Sequence, residues 1–132
     1  MDITAVQQTG RVPVTVFHLK GDLDTTTYQQ AQTQIEHVVQ AGAHDVVLDL
    51  TEVGYLSSAG IRMLSNLFYL LRGYLPQESE AAMKQGIRGG TFKSPHLKLA
   101  GPPQRVAEVL KMSGLDMVIE MYRSVPEAVA SF

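Results

Sequence analysis

The 132-residue chain fits one domain at the usual ~100 to 200 residues each, and folding at that size hides roughly two thirds of the extended chain's surface, enough for a core without staples. A composition of 45% hydrophobic and 18% charged residues excludes a disordered chain, and the absence of cysteine excludes disulfides and thiolate chemistry. Eleven basic against 13 acidic residues leave a net charge of -2, too little basic field for direct nucleic-acid binding.

The first residues, MDITAVQQTGRV, carry neither the basic nor the apolar region of a signal peptide, and no apolar run reaches the ~18 residues of a membrane span. The expectation is therefore a cytoplasmic protein with no membrane partner. Residues 3–8 alternate, a break follows at Thr9, Gly10 and Arg11, and Val12, Val14, Val16 and His18 then alternate with Pro13, Thr15, Phe17 and Leu19. This predicts a β-hairpin. Pro13 cannot donate to a ladder, so it belongs on an outward edge or at the beginning of the second strand, and the first strand is expected to be weak.

Gly21, Asp22, Leu23 and Asp24 end the hairpin, and Asp24 or a following threonine can cap a helix on which Tyr28, Ala31, Ile35, Val38 and Val39 recur at helical spacing. Gly42 stops it. Residues 45–50, β-branched and apolar, predict a buried strand, and residues 51–56 a loop leading down to Ser57. Ser57 or Ser58 then caps a second helix, the most buried one, with Ile61, Leu64, Phe68 and Leu71 on one face and Met63, Leu67 and Leu70 widening it. Residues 73–96 hold Pro76, Gly86, Gly89, Gly90 and Pro95 and predict a flexible insert that proteases should cut first. A strand over 97–100, a helix over 103–112 stopped by Gly114, a strand over 117–121 and a short helix over 125–130 complete the chain. The order ββαβα, insert, βαβα defines a single α/β domain, residues 1–132, with a mixed central sheet and helices packed against it.

Chemistry-bearing patterns are sparse. Asp22, Asp24, Asp45 and Asp49 fit no calcium loop, and His18, His37, His44 and His96 form no HExxH pair, so no metal is expected. Asp24 reads as a helix cap and Asp49 as a strand-end acceptor. Gly86, Gly89 and Gly90 neither follow a strand nor precede a GK[ST], and Ser57-Ser58-Ala59-Gly60 lacks the GxSxG frame of a nucleophile elbow. No catalytic residue, cofactor or enzymatic activity is therefore expected. What remains is a pair of serines at a helix start, where one hydroxyl caps the helix and a phosphate on the other would meet free N–H groups and the positive end of the dipole.

At this point the residues resemble a family, the STAS domains of bacterial anti-sigma factor antagonists. Gly21 to Asp24 look like its glycine, any residue, leucine, aspartate turn, and Val47-Leu48-Asp49-Leu50-Thr51-Glu52-Val53 like its central strand and exit. The segment Tyr55-Leu56-Ser57-Ser58-Ala59-Gly60-Ile61-Arg62-Met63-Leu64 resembles its signature, and Gly114-Leu115-Asp116 with Ser124-Val125-Pro126-Glu127-Ala128 its closing pattern. The resemblance implies partner switching. The unphosphorylated protein binds an anti-sigma factor serine kinase and so releases a sigma factor, the kinase inactivates it by phosphorylating a serine, and a phosphatase resets it.

In members reading serine, alanine, glycine the acceptor is the serine before alanine, which carries over to Ser58, with Ser57 as the lesser choice in a position where many relatives have aspartate. Asp24, Ser57, Ser58, Ala59, Gly60 and Arg62 are the implied partner-binding residues. Two other readings stay open. One is a STAS scaffold that is not phosphorylated. The other is a small-ligand module with an apolar pocket lined by the methionine-bearing second helix.

Overall fold

A computed structural model of the chain describes residues 1–72 and 96–132, and the insert expected over 73–96 therefore lies, apart from His96, outside the described residues. In chain order the elements are β1 (Asp2–Thr9), β2 (Pro13–Leu23), α1 (Tyr28–Gln40), β3 (Val46–Leu56), α2 (Ser58–Arg72), β4 (Leu97–Ala100), α3 (Gln104–Ser113), a 3-10 turn (Leu115–Met117), β5 (Glu120–Tyr122) and α4 (Val125–Ala130). The five strands form one sheet in the order β1-β2-β3-β4-β5. Only β1 and β2 are antiparallel; the remaining pairs are parallel, so the sheet is mixed as expected.

Strand alternation divides the core in two, because successive side chains of a strand point to opposite faces. Phe17, Leu19 and Leu23 of β2, Val46, Leu48 and Leu50 of β3, and Leu97 and Leu99 of β4 face one way. They meet Ala31, Ile35 and Val39 of α1, Met63, Leu64, Leu67, Phe68 and Leu71 of α2, and Val106 and Leu110 of α3. The other face is covered by α4: Val14, Val16, Val47 and Ala100 pack against Ala128 and Val129. On that back face Lys98 is buried, and its ammonium donates to Ser131 O at 3.1 Å and Ser131 Oγ at 2.8 Å. The ammonium also lies 3.6 Å from Glu120 and 4.4 Å from the centre of the Phe132 ring.

Several expectations are met by local chemistry. Pro13 is the first residue of β2, paired with Thr9, where its missing N–H costs nothing. Gly42 follows the α1 C-cap with φ of 124°, and Gly114 ends α3 with φ of 83°, a left-handed conformation that favours glycine. Others need correction. The first strand, expected to be weak, pairs with β2 along all eight of its residues.

Residues 51–56 are not a loop. They continue β3 to Leu56, which pairs with Leu23. The register slips twice, between His18 and Lys20 and again between Gly21 and Leu23, each time with an extra residue on β3. These bulges replace alternation with a period of three, in which Leu50, Val53 and Leu56 are buried and the residues between them are exposed. The expected strand over 117–121 is a 3-10 turn followed by a strand at Glu120–Tyr122, because the αL backbone of Gly114 leads the chain directly into another tight turn. Met63, the one methionine of α2, is fully buried in the larger core.

Gly60, in the first turn of α2, shows how tightly that helix is seated. A Cβ there would stand 2.5 Å from Leu56 Cδ1 and 2.9 Å from the Leu23 carbonyl oxygen. The carbonyl is sheet backbone and cannot yield. Gly60→Ala should therefore lower stability by about 1 to 3 kcal/mol, the range for overpacking, measured as a shift in urea midpoint at unchanged slope.

Candidate functional site

The parallel strands β2 and β3 end side by side, and the chain segments leaving them meet. After Leu23 the backbone turns through Asp24, whose Oδ1 accepts from Thr26 N at 2.9 Å and from Thr26 Oγ1 at 2.7 Å. Thr27 closes the turn: its hydroxyl donates to Asp22 O and accepts from Asp24 N at 3.1 Å. Thr27 is the N-cap of α1 by position, yet its side chain caps no helical N–H. Asp24 therefore shapes the turn that precedes α1 and does not cap the helix itself. Its hydrogen bonds from Thr26, side chain first and then backbone, hold its carboxyl below the ordinary value of 3.8.

Opposite this turn, Ser57 N–H donates to Leu23 O at 2.9 Å, which ties the start of α2 to the end of β2. The Ser57 hydroxyl accepts from Ala59 N at 3.1 Å and more weakly from Gly60 N at 3.4 Å, and its carbonyl accepts from Ile61 N at 3.0 Å. Ser57 is thus the N-cap of α2. Ser58 is the first helical residue, it is exposed, and among the described residues its hydroxyl has no hydrogen bond.

Five of the six expected site residues share the surface at this helix start. Asp24 and Ser57 flank the Leu23 carbonyl, Ala59 is half-buried beside them, and Arg62 follows Ser58 by four residues, which places both on one exposed helical face. That face continues through Asn66 and Tyr69, and Tyr55 stands exposed just before the helix. Gly60 is buried, and its place in the site is to let α2 approach Leu23.

A second polar cluster has no counterpart in the sequence reading beyond Asp49 itself. Asp49 Oδ1 accepts from Thr51 N at 3.0 Å and Thr51 Oγ1 at 2.6 Å, and its Oδ2 accepts from His18 Nδ1 at 2.7 Å. A carboxylate can only accept, so Nδ1 of His18 is the donor. Burial pushes the Asp49 carboxyl up, but the hydrogen bonds from Thr51 and His18 and the charge of His18 outweigh it and leave the group below 3.8. The available signal was positional: His18 follows Val14 and Val16 on the back face of β2 and pairs directly with Asp49.

A model of the STAS domain matches residues 4–73, more than half of the chain, and the protein belongs to the STAS domain family. No curated protein sequence matches it.

Solved structures share the fold at low identity. An anti-sigma factor antagonist from Mycobacterium paratuberculosis is 18% identical with a TM-score of 0.70, over 98% of this chain and 93% of that one. The anti-sigma factor antagonist SpoIIAA in its unphosphorylated form is 16% identical with a TM-score of 0.71, over 98% and 95%. A sulfate transporter family protein from Wolinella succinogenes is 14% identical with a TM-score of 0.59, over 89% and 83%. Among the described residues no helix is long and apolar enough to cross a membrane.

The two serines should separate in a stability measurement. Ser57→Ala removes a cap and should cost about 1 kcal/mol, whereas Ser58→Ala, at an exposed hydroxyl without a partner, should be close to neutral in the same urea titration. The acid limb should report the two carboxyls. Both are more acidic when folded than when unfolded, so their contribution is complete above 3.8 and is lost as pH falls through their lower folded values. Urea midpoints followed down an acid series should fall less steeply in Asp49→Asn than in wild type.

Proposed function

We propose that this STAS protein is an anti-sigma factor antagonist that works by partner switching. Unphosphorylated, it binds an anti-sigma factor serine kinase, and a sigma factor is released. The kinase then transfers phosphate to Ser58 and the complex separates; a phosphatase acting on phosphoserine resets the switch. The chain is not the enzyme in this cycle. The kinase supplies ATP, Mg²⁺ and the catalytic groups, so the antagonist has only to present a hydroxyl on a rigid support in the cytoplasm.

The observation that carries this reading is the division of labour between the serines. Ser57 holds the helix start, and Ser58, one residue on, is exposed with its hydroxyl unused. A hydroxyl that serves no structural bond can be modified without a cost to the fold. The face it shares with Arg62, flanked by exposed Tyr55 and Tyr69, has the residue types that dominate protein interfaces. SpoIIAA, which shares the fold, has been solved in both an unphosphorylated and a phosphorylated form.

Electrostatics gives the switch its direction. A phosphate adds about -1.5 to -2 charge at a helix N-terminus, where the dipole favours an anion by roughly 0.3 to 1 kcal/mol. Arg62, one turn along the same face, adds a positive charge within reach of position 58. Against a carboxylate of the partner or its bound nucleotide, repulsion is on the order of 4 kcal/mol at ~4 Å for an effective dielectric of about 20. Binding loses more than folding gains.

Incubated with its cognate kinase and ATP, the protein should gain one phosphate, mapped by mass spectrometry to Ser58 with Ser57 as the lesser site. Ser58→Ala should bind the kinase and stay unmodified. Ser58→Asp should keep the circular dichroism spectrum and Tm of wild type while weakening capture of the kinase. If Ser58→Asp binds as tightly as wild type, or loses binding only because it unfolds, the electrostatic switch is wrong. Absence of any mass gain would favour a STAS scaffold that is not phosphorylated.

A further inference from the structure

One edge of the sheet is a long strand that is almost all surface. β1 stands first in the strand order and pairs with β2 from Asp2 opposite Lys20 to Thr9 opposite Pro13, without a register shift. Six of its eight residues are exposed. The N–H and C=O groups on the far side of such a strand form a template for another extended chain. Protein edges are ordinarily blunted by lysine, proline, a bulge or a covering element. β1 reads DITAVQQT, has no basic residue, proline or bulge, and carries its one charge, Asp2, at its end.

An apolar hollow runs beside the strand. A cavity of about 410 Å³ opens between β1 and α1, where Ile3, Ala5 and Phe17 face Gln34, His37 and Val38. A second, of about 370 Å³, continues past Ala5, Gln7 and Val38 toward the end of α1. A strand added to the edge would carry every second side chain over this hollow.

We propose that the occupant is β1 of a second copy, running antiparallel to the first and joining the two sheets into one of ten strands. Symmetry limits the register. The two-fold axis of a continuous antiparallel sheet stands perpendicular to it and leaves each residue on its own face, so a residue can lie opposite only a residue of the same parity. The axis therefore passes between a residue and its own copy, and Ala5 and Val6 are the two centres that pair seven residues of the strand with its copy.

Both centres put small or β-branched side chains at the axis and apolar Ile3 beside the hollow. Both also carry the two Asp2 carboxylates to opposite ends of the joint, so the only charges on the strand never face each other. Eight strand residues and the rim of α1 fall short of the ~20 to 30 residues a side of a standard stable interface, so the dimer is reversible and depends on concentration. β2 separates β1 from β3, whose end leads into α2, and the pairing is therefore independent of Ser58.

Sedimentation equilibrium on the full chain should show monomer when dilute and a reversible dimer as concentration rises. Ala5→Lys combined with Gln7→Lys, both at exposed positions, should abolish the dimer while leaving the circular dichroism spectrum and Tm in place. A wild-type chain that stays monomeric at its highest soluble concentration overturns the proposal. So does a lysine variant that dimerises as before.

A second arm decides the matter should the lysine variant fail to fold. The protein has no cysteine, so Ala5→Cys and Val6→Cys each introduce a single thiol. Mild oxidation should trap a covalent dimer from the variant whose thiol lies on the axis, and none from Met112→Cys, at an exposed position on α3. Failure of both strand variants to cross-link, or equal cross-linking by the control, overturns the pairing.

Discussion

Everything near the surface serines depends on how closely the start of α2 lies against the end of β2. Ser57 N–H reaches Leu23 O at 2.9 Å, and only a glycine at position 60 leaves room for that carbonyl below the first helical turn. The contact is made between backbones, so it fixes position without help from long side chains. Leu23 and Leu56, register partners at the strand ends, are buried beneath it. The turn at Asp24 and the start of α2 are consequently held against each other.

This seating explains why two adjacent serines have different fates. The backbone contact aims the Ser57 hydroxyl at the N–H groups of Ala59 and Gly60, and position 58, advanced by one residue, is turned outward. Asp24, despite its place beside them, spends its carboxylate on Thr26. That carboxylate is therefore already engaged by its own turn and held ionised, and a partner meets an acidic group fixed in orientation.

Much of this could be read from the chain. Periodicity of two identified the hairpin, periodicity near four the helices, and the glycines at 42 and 114 marked helix ends because their conformation requires them. The serine pair was visible as a cap, with the capping role open between Ser57 and Ser58 until geometry gave it to Ser57.

What escaped had a physical cause in each case. The second half of β3 carries two bulges, and a bulged strand buries Leu50, Val53 and Leu56 at a spacing that matches neither template. Gly60 resembled a motif residue, while its real constraint is a carbonyl from a strand more than thirty residues earlier. The bond from His18 to Asp49 joins residues 31 apart and rests on parallel register, which no local pattern encodes.

The two faces of the sheet are insulated very differently. Three helices bury the front, whereas the back is closed by the six residues of α4 over a small apolar patch, with a lysine amine pinned by Ser131 beneath a phenylalanine ring. An ammonium taken out of water is tolerable only while those acceptors stay in place. If α4 lifts, Lys98 regains water at once, so the charge that fastens the helix also lowers the cost of releasing it. The back of the sheet is thus a thin layer whose hold rests on one short helix and one buried charge, whereas the front core rests on three helices.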